Sequence, residues 1–132
     1  MNVFGISDRG KVRASNQDSF RTLHLPEKQL AIAVLCDGMG GVRGGKIASS
    51  MAAEAFLTCV RGEIEDPGAP DLADIGRESA AYANLKVYDR SQRDENCRGM
   101  GTTLVAAIVR EQDAVMVNIG DSRGYWLANG QI

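Results

Sequence analysis

Continuous apolar runs and stretches of helical period divide this chain, and the changes between them mark its elements. Residues 3–7 form a short apolar stretch suited to the start of a strand, and Asp8-Arg9-Gly10-Lys11 then reads as a turn. Residues 20–25 suit a second strand, broken by Pro26. Leu30-Ala31-Ile32-Ala33-Val34-Leu35-Cys36 is continuously apolar between turn residues, which predicts a strand buried on both faces. The glycine-dense run from Gly38 to Gly45 does not suit regular structure. From Lys46 to about Val60 the period lengthens. There Ile47, Ala48, Met51, Ala52, Ala55, Phe56 and Cys59 recur at three- and four-residue spacing, as one face of a helix requires.

Residues 65–70, with two prolines, read as a loop. Asp71 is placed to cap a second helix, with Asp74 in its first turn and Leu72, Ile75, Tyr82 and Leu85 along its apolar stripe. Residues 90–98 are densely charged and read as a mobile connection. Residues 102–109 and 114–119 are rich in β-formers, separated by the hairpin-like gap Arg110-Glu111-Gln112-Asp113. A third such run, residues 125–128, leads into Asn129-Gly130, the strongest short hairpin signal. Only Gln131 and Ile132 follow, too few for a returning strand, so the expectation is a fold incomplete at its C-terminus.

A length of 132 residues suits one domain with one core. The formal net charge of −2 provides no basic field, which argues against nucleic acid and anionic membranes as partners. Neither a signal-peptide pattern nor an 18-residue apolar run is present, so no membrane span is expected. Cys36, Cys59 and Cys97 are odd in number and widely spaced, as for reduced thiols in the cytoplasm. With His24 the only histidine, a multi-histidine zinc site is excluded. Carboxylate chemistry remains.

Asp37-Gly38-Met39-Gly40-Gly41 closes the apolar strand and opens the first helix, so its carboxylate stands at a strand mouth. Glycines there allow close backbone approach, and the Gly38 carbonyl can serve as a ligand. On local pattern, metal or phosphate binding and a plain tight turn stand equally open. Gly40-x-x-x-x-Gly45-Lys46 approaches a nucleotide-binding P-loop, but Ile47 stands where a hydroxyl should hold magnesium. Gly38-x-Gly40 begins a dinucleotide fingerprint, but Arg43 replaces its third glycine. Arg13 precedes Asp18 by five residues, as in a solvated surface pair or, if Asp37 lies near, a phosphate grip beside carboxylates. Gly120-Asp121-Ser122-Arg123 reads as a hairpin loop, and Met100-Gly101-Thr102-Thr103 as the start of a strand without chemistry of its own.

Together these segments follow one order. Ser7-Asp8-x-Gly10-x-Val12-Arg13-x-x-Asn16-Gln17-Asp18 precedes Asp37-Gly38-Met39-Gly40-Gly41, with Gly45 and Ala48-Ser49 close behind. Met100-Gly101-Thr102-Thr103 and Asn118-Ile119-Gly120-Asp121-Ser122-Arg123 come next. The series resembles the first half of the metal-dependent serine/threonine protein phosphatases of type 2C, particularly their compact bacterial members. That resemblance implies an α+β fold, two antiparallel sheets sandwiched between helices, with residues 1–132 the N-terminal portion of one phosphatase domain. It implies two to three Mn2+ or Mg2+ ions. Asp37 would bridge two of them with help from the Gly38 carbonyl and Asp18, and Asp121 would contribute to a third. Arg13 would hold the phosphate of a phosphoserine or phosphothreonine protein, hydrolysed by metal-activated water with no covalent phosphoenzyme. Gln17 stands where many relatives carry an acid.

Two divalent cations carry four positive charges against two negative ones from Asp18 and Asp37, so weak or absent activity is expected of this chain alone. The competing reading is a non-catalytic half-domain that self-associates or pairs with another chain through unpaired strands. A P-loop nucleotide binder ranks below both.

Overall fold

In the computed structural model, which describes residues 1–65, 68 and 70–132, the long apolar run becomes the centre of an antiparallel sheet. Strand β1 (Asp18–Leu25) and strand β2 (Leu30–Met39) pair antiparallel, the connection turning at Pro26 through a short 3-10 segment. Helices α1 (Gly41–Glu65) and α2 (Leu72–Arg93) follow. The two-residue strand β3 (Gly101–Thr102) pairs with the far end of β2, while β4 (Leu104–Arg110) pairs along its body. β5 (Asp113–Ile119) completes the order β1-β2-β4-β5. The β4–β5 hairpin closes over Glu111-Gln112, with Glu111 at φ 56°, a conformation that tight hairpin turns require.

Both helices pack on one face of this sheet. Leu30, Ile32, Val34 and Ile108 from the strands meet Phe56, Val60 and Ile75 from the helices, all essentially sealed from solvent. Alanines 48, 52, 53 and 55 let α1 lie close against the strands. Fully burying a side chain such as Phe56 contributes about 1.5–3 kcal/mol. Asp71 caps α2 as expected: its carboxylate accepts from the Asp74 amide at 2.8 Å, an interaction of about 1 kcal/mol.

Several elements differ from the sequence reading. Residues 3–7 form no strand, and Phe4 and Ile6 are exposed. The turn at 8–11 does form, with Asp8 accepting from the Gly10 amide at 2.6 Å. β2 is buried on both faces only at its beginning; Leu35 is 42 % exposed, because the helices cover a single face. Residues 41–45 are not irregular but the first helical turn, reached through Gly40 and Gly41 at φ 120° and 74°.

The buried stripe of α2 runs through Leu72, Ile75, Gly76, Ser79, Ala80, Ala83 and Val87, whereas Tyr82 and Leu85 are 37 % and 53 % exposed. At about 100° per residue Leu85 lies on the reverse side from Leu72, and Tyr82 on the flank of the buried stripe. Residues 90–98 are not a loose connection. They make the last turn of α2 and a 3-10 turn, Glu95–Cys97, pinned by the Arg90–Asp94 pair at 2.8 Å. Residues 125–128 form no strand, though Asn129-Gly130 makes the expected tight turn, at φ 53° and 77°, closed by the Ala128–Gln131 bridge. The loop expected over residues 65–70 lies partly outside the described residues.

The fold is of the expected α+β class. Among the described residues it has one sheet, with helices on one face and Leu35, Met116 and Phe20 on or beside the other. The three cysteines are free, and burial pushes the Cys36 thiol up to about 12. No helix among the described residues is long and apolar enough to cross a membrane.

Candidate metal and phosphate site

The register of the β1–β2 pair decides where the acidic residues go. Asp18 stands directly opposite Asp37. Residues opposed across an antiparallel pair direct their side chains to the same face, so the two carboxylates share one side of the sheet at one end. Like charges so placed repel, and local packing must hold them there.

At Asp18 that packing comes from α1. Asn16 Oδ1 accepts from the Asp18 amide at 2.9 Å and starts the strand. Lys46 Nζ donates to the Asp18 carbonyl at 2.8 Å and to Ser19 Oγ at 3.2 Å. Beneath it, Ser19 and Ser49 share a buried hydrogen bond of 3.0 Å, and Ser49 donates to the Gln17 carbonyl at 2.5 Å. Gln17 itself donates from Nε2 to the Gly41 carbonyl at 2.8 Å. Thus the first turns of α1 staple the start of β1.

Glycine is required where α1 crosses the end of β2. A Cβ on Gly38 would lie 2.0 Å from the Gly45 carbonyl oxygen, and one on Gly45 would lie 2.1 Å from Gln17 Oε1. With the helix beginning at Gly41 and Lys46 committed to β1, no glycine loop remains to cradle a nucleotide phosphate. The P-loop reading fails on that geometry.

Asp37 is gripped through its backbone from the other side. Its amide donates to Thr103 Oγ1 at 3.0 Å, and its carbonyl accepts from the Thr103 amide and from Thr102 Oγ1, both at 2.9 Å. Thr103 Oγ1 also shares a 2.7 Å hydrogen bond with Ser122 Oγ, next to Asp121. Sequence reasoning assigned Met100-Gly101-Thr102-Thr103 only a strand start and missed this clamp. The paired hydroxyls were the available signal, but their partner lies 65 residues upstream.

The electrostatics tie the expected residues together. Asp37 is raised above the usual carboxylate range, first because neighbouring atoms strip part of its hydration, although the residue is exposed overall. The Asp18 charge and a carboxyl–carboxyl hydrogen bond with Asp18 raise it further, as does the charge of Asp121, while Arg13 pulls it down. Arg13, Asp18 and Asp121 therefore each lie within electrostatic reach of Asp37. Gly38 adjoins Asp37 on the same strand end, opposite Thr102.

Among the described residues no three Asp, Glu, His or Cys side chains close on one point as a finished metal cage. The arrangement is an opposed carboxylate pair with a third acid at its edge and an arginine alongside. Crowded anionic oxygens without histidine or thiolate ligands suit hard cations such as Mg2+ and Mn2+.

The protein phosphatase 2C family model matches residues 9–132. The chain is 39 % identical over 133 residues to the serine/threonine phosphatase stp of Listeria innocua, covering 93 % of this chain and 48 % of that protein. With the serine/threonine protein phosphatase PstP of Mycobacterium tuberculosis it shares 36 % identity over 126 residues, covering 96 % of this chain and 23 % of that protein. Among solved structures, the catalytic domain of PstP in complex with two manganese ions superposes at a TM-score of 0.77 with 34 % identity. That match covers 95 % of this chain and 50 % of the PstP chain. Stp1 of Staphylococcus aureus gives 0.75 with 31 % identity, over 89 % of this chain and 46 % of its own. The chain spans about half the length of the Listeria relatives it matches.

Proposed function

Because the chain belongs to the protein phosphatase 2C family, we propose that residues 1–132 are the N-terminal portion of a single phosphatase domain whose chemistry is metal-dependent hydrolysis of phosphoserine and phosphothreonine in proteins. The observation that carries this reading is the direct opposition of Asp18 and Asp37 on one sheet face, with Asp121 and Arg13 in electrostatic reach. Asp37, Asp18 and the Gly38 carbonyl hold two divalent ions in this reading, and Asp121 contributes to a third. Manganese in the PstP catalytic domain supports Mn2+ or Mg2+ as those ions. Bound there, the cations supply acidification of a water and neutralisation of phosphoryl charge.

The chain's own groups do the rest. The Arg13 guanidinium, exposed and close enough for its charge to act on Asp37, grips the substrate phosphate through its planar fork. Asp18 and Asp37 supply two of the negative charges that two divalent cations demand. That leaves two of their four positive charges unbalanced, so weak or absent turnover of phosphopeptides is expected of this chain alone. Three free cysteines support a reducing, cytoplasmic setting.

A phosphoserine peptide should bind this chain in a Mn2+-dependent manner in fluorescence anisotropy, with Arg13→Ala weakening binding about tenfold. Binding that persists unchanged in chelator, or in Arg13→Ala, would contradict the proposed roles. The non-catalytic reading, pairing with a second copy or another chain, draws support from the helix-free sheet face with Leu35 and Met116 each 42 % exposed. A dimer in native mass spectrometry favours it; a strict monomer counts against it.

A further inference from the structure

One side chain joins the two acidic segments. Thr103 is only 3 % exposed and lies between the end of β2 and the loop after β5. Its hydroxyl accepts from the Asp37 amide and bonds Ser122, while its own amide donates to the Asp37 carbonyl. Its methyl group faces the other flank of Asp121. A Cβ on Gly120 would fall 2.8 Å from Thr103 Cγ2, and Gly120 has φ 102°, open to glycine and strained for other residues. Thr103 therefore holds Asp37 by both backbone groups and straddles Asp121 by touching Gly120 and Ser122.

We propose that Thr103 is a positioning residue that fixes the separation and orientation of Asp37 and Asp121, so that the two carboxylates respond to divalent cations as one site. The proposal rests on the reading of those aspartates as cation ligands. The two ends of the side chain have separable duties. The hydroxyl couples the segments, and the methyl sets how close the 120–122 loop can approach. Buried supporting groups of this kind orient ligands without touching the ion, and their loss is felt in affinity.

The experiment uses NMR on the 132-residue chain with two readouts. The first is hydrogen exchange of the Asp37 amide without metal, with the Ile32 and Ile108 amides reporting global opening. The second is the Mn2+ concentration that half-broadens the amides of residues 36–38 and of residues 120–122. In the unmodified chain both groups respond together. Thr103→Val keeps the shape and removes the hydroxyl; Asp37 exchange should accelerate at least about tenfold, beyond any change at Ile32, and the two Mn2+ responses should separate by about tenfold. Thr103→Ser restores the hydroxyl and should bring both readouts back to within about threefold of the unmodified chain.

Ser122→Ala cuts only the outer bond. It should leave Asp37 exchange unchanged while separating the two Mn2+ responses, and it serves alone if Thr103→Val does not fold. Unchanged Asp37 protection in Thr103→Val, or joint Mn2+ responses in both variants, would overturn the proposal. If the unmodified chain shows no Mn2+ response at either segment, the cation-site reading fails, and the exchange readout still decides whether Thr103 couples them.

Discussion

Replacing Asp37 with Asn should abolish Mn2+ binding, by at least about 100-fold in isothermal titration, and should also stabilise the metal-free chain. The two effects have one cause. Asp37 sits in a partly desolvated position opposite Asp18 and within reach of Asp121, and all three circumstances disfavour its charge. A cation turns that repulsion into attraction. Without one, the ionised carboxylate is a cost that the fold carries, as functional sites often do.

The pH dependence follows from the direction of the shift. Asp37 is raised in the folded chain, so between the ordinary carboxylate value and its folded value the folded state binds more protons than the unfolded one. Stability is therefore lost as pH rises through that interval and stays lower above it. At neutral pH, Asp37→Asn should melt about 2 °C higher in chelator. The gap should close as pH falls from the folded value through the ordinary aspartate value. An asparagine variant that is less stable at neutral pH without metal, or that retains Mn2+ affinity, would refute this view of the site.

Gly38→Ala should destabilise the chain by about 3 kcal/mol or more in urea unfolding. Added at Gly38, a methyl carbon meets the Gly45 carbonyl oxygen at 2.0 Å, the Gly45 carbonyl carbon at 2.4 Å and the Gln17 carbonyl at 2.9 Å. All three are backbone atoms, and none can rotate away. The first turn of α1 must then lift from the strand, taking Lys46 and Ser49 from their bonds at β1. Gly62 is the control within the same helix. It is exposed, nothing lies within 4 Å of its added carbon, and Gly62→Ala should stabilise by about 0.5–1 kcal/mol. A Gly38→Ala chain within about 1 kcal/mol of the original would show that the strand–helix contact is looser than described.

Much of this was legible because local chemistry and final structure agree. A continuous apolar run located β2, β-forming residues located β4 and β5, and three- and four-residue spacing located α1, while Asp71 and Asn129-Gly130 are local signals whose partners lie within four residues. The misreadings share a cause in long-range packing. Gly, Ser and Ala make up much of the buried stripe of α2, and such residues leave no apolar signature; Tyr82 and Leu85 do, from the exposed side. Residues 41–45 look like a loop until the close crossing of α1 over Gly38 explains why glycines begin a helix. Cys97, buried under a charged segment, holds residues 90–98 in order.

At the site, Asp18, Asp37, Asp121 and Arg13 were found by their order along the chain, and Asp37 feels the charge of the other three. The supports were not visible. Thr102, Thr103, Ser122, Lys46 and Ser49 act on partners between 19 and 66 residues away, apart from short bonds such as Ser49 to Lys46. No spacing rule reaches that far.

Growing crystals of this chain with Mn2+ and collecting data at the manganese absorption edge tests the central claim most directly. The expected result is an anomalous peak between the Asp18 and Asp37 carboxylates, beside the Gly38 carbonyl. Manganese bound elsewhere, or a pair of carboxylates turned apart with no peak between them, would contradict it.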